Sequence, residues 1–302
     1  DYLDKDGLKN EFKIYKKKNN YFLEGQSLNL DKIVEDVLKS EKTKKRNLFN
    51  DQFNLKIDIK KSYLDEKNII ENLKGNLVIK NNSIIDAKLV SNFSNKKKIM
   101  LTVKTNNDNK VTTLFSDYPK PLVKRYDFIR GFEEGVLDFS SIEKDGVSKS
   151  LLIIDNFKLQ EVPVLAKILT LASLQGIADL LTGEGIRFSD FEMKFTNKNG
   201  LMTIEEMYAI GPAISILMEG YIEKKKLISL RGTLVPATTI NRTIASIPLI
   251  GNILVGKKVG EGVFGVSFKI KGPPKNLETS VNPIKTLTPR FITRTLEKIK
   301  KN

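Results

Sequence analysis

The chain has 302 residues, 40% of them hydrophobic and 29% charged, with a formal net charge of +15. That length suffices for a sizeable core or one extended domain. Histidine and cysteine are both absent, which excludes Ser-His triads, Cys-His nucleophiles, disulfides and the usual zinc sites. Carboxylate-only chemistry is still open. No apolar run is long enough to cross a bilayer as a helix. The lysine excess fits an AT-rich genome, and a basic surface also favours anionic partners. The chain begins at Asp1 without a methionine or leader, so a fragment or processed product is expected.

Residues 11–28 read as a hairpin, with Phe12 and Ile14 alternating with lysine and a turn at Asn19-Asn20. Leu30, Ile33, Val34, Val37 and Leu38 recur at helical spacing behind a cap at Asn29 or Asp31, which predicts a short helix ending near Lys39. Residues 40–47 are polar and read as a loop. A long antiparallel meander follows. Its apolar members are Phe53, Leu55, Ile57 and Ile59, then Leu77 and Ile79, Ile85, Ala87 and Leu89, Ile99, Leu101 and Val103, and finally Val111 and Phe115. Turns are predicted at Asn81-Asn82, Asn95-Lys96-Lys97 and Asn106-Asn107-Asp108. Such alternation describes a sheet with one dry face and one wet face.

After Pro119 and Pro121 a short helix is expected in LVKRYDFI, with strands at 135–141 and 148–159. Pro163 opens the most apolar helical stretch, which Gly176 is expected to break and Gly183-Glu184-Gly185 to end. Phe191, Met193 and Phe195 then alternate with Asp190, Glu192 and Lys194, and Asn199-Gly200 signals a hairpin. Strands are expected at 201–208, 213–221 and 227–235, with a short apolar helix at 244–254. In the last clear strand Phe264, Val266, Phe268 and Ile270 face one way, and Gly265, Ser267, Lys269 and Lys271 the other. Residues 279–282 read as extended, and a final helix starts near Thr288. On a helical wheel Arg290, Arg294, Lys298 and Lys301 share one side, and Ile292, Leu296 and Ile299 the opposite one.

Two motifs are traps. Gly260-x-Gly262-x-x-Gly265 matches a dinucleotide fingerprint by letters, but a helix precedes it and a strand follows, the reverse of what that site needs. A tight turn is the reading we adopt. Lysine is spread over turns and strands and arginine is sparse, so no nucleic-acid partner is expected. Asp and Glu alternate with apolar residues or sit in turns, as solvated charges do. No catalytic residue, metal ligand or cofactor is assigned, and no enzyme activity is expected.

A meander with one continuous apolar face must bury that face or use it. A helix or second sheet would make an ordinary core, which is the commoner use of alternation. A sheet curled on itself would make a trough instead. The segments LRGTLVPA, IPLIGNILVG, GEGVFGVSF and SVNPIKTLTPRF, in that order, resemble the C-terminal region of AsmA-like proteins of the YhdP and TamB group. The upstream run PVLAKILTLASLQGIADLLTGEGIRF resembles that family as well. The likeness covers roughly residues 117–296; residues 1–116 share only the style of alternating strands.

The resemblance implies a mainly β fold with a few short helices, an elongated, curled antiparallel β-meander forming an apolar groove. Residues 1–116 would be the N-terminal part of that groove, and 117–302 the AsmA-like C-terminal region with helices and a terminal amphipathic helix. It implies a periplasmic lipid-transfer segment that carries phospholipid acyl chains between inner and outer membrane in the service of outer-membrane biogenesis. An N-terminal segment outside this chain would anchor it in the inner membrane. Phe191, Met193, Phe195, Phe264, Val266, Phe268 and Ile270 are then the groove-wall residues. The helices at 163–181 and 244–254 either cap the groove end or pack as core. Arg290, Ile292, Arg294, Leu296, Lys298 and Ile299 either meet a membrane surface or pack on the sheet. The alternative is a structural or assembly protein of the cell envelope that binds a protein partner through a sheet edge.

Overall fold

The computed structural model describes residues 1–4, 7–18, 20–31, 52–81, 83–123, 131–160, 162–223, 226–236, 265–274 and 276–284. The chain divides into two compact units, Asp1–Arg125 with Gly135–Leu151, and Tyr126–Glu134 with Leu152–Asn302. The fold is mainly β. Among the described residues a sixteen-stranded sheet takes its strands in chain order, β1 to β16, and the order is open rather than closed on itself.

The first unit starts with β1 (Tyr2–Leu3), β2 (Lys9–Lys17), β3 (Asn20–Asn29) and β4 (Phe53–Tyr63). It continues through β5 (Ile69–Lys80), β6 (Ser83–Phe93), β7 (Lys98–Asn106) and β8 (Asn109–Ser116). A single helical turn, α1 (Lys120–Val123), follows. β9 (Gly131–Lys144) and β10 (Val147–Gln160) each contribute residues to both units. Asn107 and Asp108 between β7 and β8, and Asp145 and Gly146 between β9 and β10, all have positive φ. Those are the dihedrals of the tight turn that matches strand twist.

Directly opposed residues of neighbouring antiparallel strands share a face. From β3 through β7 this places Leu23, Ile57, Leu77, Ala87 and Val103 in one buried cluster. One cross-strand row runs Ile14, Leu23, Ile57, Gly75, Leu89, Leu101, Leu114 and Phe139.

Three details differ from the sequence reading. First, β3 and β4 are parallel, with Leu23 beside Ile57. Second, Leu101 opposes Leu114, which puts Val111 and Phe115 on the wet face beside Lys104 and Met100. Third, Ile84 rather than Ile85 opposes Ile79, because a bulge interrupts the β5–β6 register.

The second unit holds α2 (Pro163–Leu171), α3 (Gln175–Thr182), β11 (Ile186–Lys198), β12 (Leu201–Ile210) and β13 (Ile214–Glu223). β14 (Leu227–Pro236), β15 (Gly265–Gly272) and β16 (Glu278–Ile284) complete it. The Asn199-Gly200 turn has positive φ at both residues, as the hairpin signal required. The apolar helical stretch breaks at Ser173, not at Gly176, which lies in the first turn of α3. Ser173 has φ 58. Its N–H donates to Thr170 and that of Leu174 to Leu169, which closes the backbone bonds of a Schellman cap. The expected helices at 29–39, 244–254 and from 288, and the turn at 260–262, lie outside the described residues apart from their first positions near Asp31. So does the part of LVKRYDFI beyond Val123.

Candidate apolar binding face

The candidate face is built by register. β11 pairs with β12, β12 with β13, β13 with β14, β14 with β15 and β15 with β16, all antiparallel. One row of opposed residues runs Phe191, Ala209, Ile216, Leu234 and Val266. The next runs Met193, Met207, Met218, Gly232, Phe268 and Val281. A third runs Phe195, Ile204, Gly220, Leu230, Ile270 and Thr279. Candidates from two strands far apart in sequence therefore share one face. A bulge in β12 near Glu205 and Glu206 keeps Ile204 in step with Met207.

Burial is graded along this face. The first row is closed: Ala209, Ile216, Leu234 and Val266 are all buried, and Leu234 is 0% exposed. In the second row Met193, Met207 and Met218 are half-buried, and so are Phe195 and Leu230 in the third. The candidates on β15 are less open than those on β11, since Val266, Phe268 and Ile270 are 5%, 4% and 6% exposed. Three of the chain's five methionines thus lie side by side on adjacent strands, partly accessible. Methionine is unbranched and polarizable and conforms to irregular apolar partners.

Two glycines shape the surface. A side-chain carbon at Gly232 would stand 2.5 Å from Cζ of Phe268 and also meet the Leu217 carbonyl oxygen. The tip of the Phe268 ring fits over β14 because that position is bare. Gly220 plays the same part for Leu230, whose Cδ2 would be 3.1 Å from such a carbon.

The helix pair lies at one end of these strands. α2 and α3 leave the sheet after β10 and rejoin it at β11, and they pack on each other and against β16 and β11 respectively. That end of the sheet is the one that carries the buried row. Leu169 and Leu181 are fully buried there, with Leu165 and Ile168 nearly so. Beside it Phe157 stacks between Phe132 and Phe188, each at 5.4 Å between centroids, and Phe191 meets Phe157 edge-on at 6.2 Å. No protein-family model, curated protein or solved structure matches the chain.

The opposite face of these strands is mixed: Ile210, Ser215 and Val235 form a row at the buried end, Val235 being 0% exposed, and farther along it carries paired polar groups. Tyr208 donates to Glu192 at 2.6 Å, Thr196 to Glu205 at 2.6 Å, and Arg231 to Glu219 at 2.8 Å. Lys194 completes the first group, 3.1 Å from Glu192. These carboxylates are engaged by side chains on their own or neighbouring strands. Among the described residues no cluster of acidic side chains is arranged to hold a metal ion.

Phe264 and the membrane-surface candidates Arg290, Ile292, Arg294, Leu296, Lys298 and Ile299 lie outside the described residues. Met207, Met218, Leu230 and the two glycines were not legible as part of the face. Alternation places residues on one side of a strand, but only register says which sides coincide.

Proposed function

We propose that the apolar face of β11–β15 receives phospholipid acyl chains, and that the chain is a periplasmic segment of an AsmA-like lipid-transfer protein. In this reading an N-terminal segment outside the chain anchors it in the inner membrane, and lipid moves towards the outer membrane. The observation that carries it is the set of three cross-strand rows, closed at one end and lined by half-buried Met193, Met207, Met218, Phe195 and Leu230 at the other. Acyl chains need apolar area and conformable walls but no hydrogen bonds, and these rows offer that. The sequence resemblance supports the same reading independently.

The test is lipid mass spectrometry of an organic extract from folded, detergent-free protein. Stoichiometric phospholipid is expected. Met193→Asp and Met207→Asp replace half-buried side chains, so the fold should persist while bound lipid falls at least about tenfold, an aspartate in an apolar contact being strongly disfavoured. An empty wild-type extract, or full lipid in both variants, would overturn the reading. Phe268→Asp is a poorer probe, because at 4% exposure its failure to fold is expected.

A second reading, assembly through a sheet edge, rests on β2. β1 pairs only with Lys9 and Asn10, and among the described residues the rest of that edge has no strand beside it. A partner recovered with lipid-free protein would favour it.

A further inference from the structure

The wet face of the first unit is not uniformly polar. Register places Val90, Met100 and Phe115 side by side on β6, β7 and β8, and Val111 beside Ile142 on β8 and β9. Thr102 and Thr113, joined by their hydroxyls at 2.6 Å, lie between the two groups. The outward side of β8 is therefore Val111, Thr113 and Phe115, with no charge on it. Val90, Met100, Val111 and Ile142 are 36%, 37%, 37% and 52% exposed, on the face opposite buried Ala87 and Val103.

Lysines frame this patch. Lys88 opposes Thr102, Lys104 opposes Val111, Lys98 lies two residues before Met100, and Lys144 two residues after Ile142, all exposed. The acids on the same face of these strands are Asp86 and Asp138. Apolar side chains ringed by flexible cations are the composition of a surface that lies in the headgroup region of an anionic bilayer. The lysine stems reach the phosphates while the central side chains enter the acyl boundary.

We propose that this outer face of β6–β9, centred on Met100, Phe115 and Ile142, docks on an anionic membrane surface. The inference is independent of acyl-chain binding on β11–β15, which concerns other residues in the other unit and is read by a different assay.

The experiment is flotation of the full chain with phosphatidylcholine vesicles containing phosphatidylglycerol, and with pure phosphatidylcholine vesicles. Binding to the anionic vesicles alone is expected, weakening as salt rises. Lys88→Gln with Lys104→Gln should weaken it roughly thirtyfold, from about fivefold per lysine removed. Met100→Ser with Ile142→Ser should weaken it about fivefold or more through lost apolar insertion. Both pairs are exposed, so circular dichroism should match wild type. Lys167→Gln with Lys271→Gln removes the same net charge from residues outside the patch and should change binding by less than about twofold, which separates the patch from net charge alone. The proposal is overturned if wild type binds neither vesicle or both equally, if the face variants bind as wild type does, or if the control pair loses as much as the face pair.

Discussion

Gly232 decides where a phenylalanine rests. Because the position is bare, the Phe268 ring lies over β14 and stays nearly inaccessible. Gly232→Val would place carbon against the Leu217 carbonyl oxygen and 2.5 Å from the Phe268 ring, so that backbone and ring must both shift. Overpacking of that kind costs about 1–3 kcal/mol, so the melting temperature should fall and Phe268 should become more accessible to solvent. A variant as stable as wild type would mean that the ring has another resting place. The sequence presents Phe268 as one member of an alternating set, and it is buried with Val266 and Ile270. Alternation could not show that Phe268 faces a glycine, since Gly232 and Phe268 are brought together by pairing between β14 and β15.

At the level of the element, the helix pair shows what local patterning misses. Gly176 was the obvious breaker, yet Ser173 takes the left-handed conformation that ends α2. Once the Schellman bonds to Leu169 and Thr170 close there, Gly176 is free to sit inside α3. Glycine adopts that conformation without the cost of a side chain. Ser173→Gly should therefore stabilise the second unit by about 0.5–1 kcal/mol, read as a shift in the denaturation midpoint. Strand β8 gives a second case. Val111, Leu114 and Phe115 fit no single alternation, and pairing with Leu101 selects Leu114 for the dry face. The two residues left over become part of the exposed patch. β15 is the contrary case: its strict alternation made its face legible from sequence alone, and Val266, Phe268 and Ile270 are buried while Lys269 and Lys271 are exposed.

For the whole molecule, the mainly β, strand-by-strand character was legible because turns and alternation recur throughout. The parallel β3–β4 pair was not, since a helical period followed by a strand does not reveal which direction the strand takes. Every pairing in the chain order joins consecutive strands. Contacts of that kind resemble those of stacked repeats, in which stability sums over neighbours. Native-state hydrogen exchange should accordingly show several levels of protection rather than one global opening. β1 and the exposed end of β2 should exchange first, and the strands around Ile59 and Leu73, which are nearly inaccessible, should exchange late. A single exchange level for all strands would contradict this view. Chain-order pairing has one more consequence. A closed barrel fixes its strand number through its circumference, whereas a ladder whose every rung meets only the next has no such sum rule. Strands can enter or leave it in pairs, one hairpin at a time, without altering the direction of any strand that remains, so the number of its rungs is a quantity that evolution can adjust in small increments.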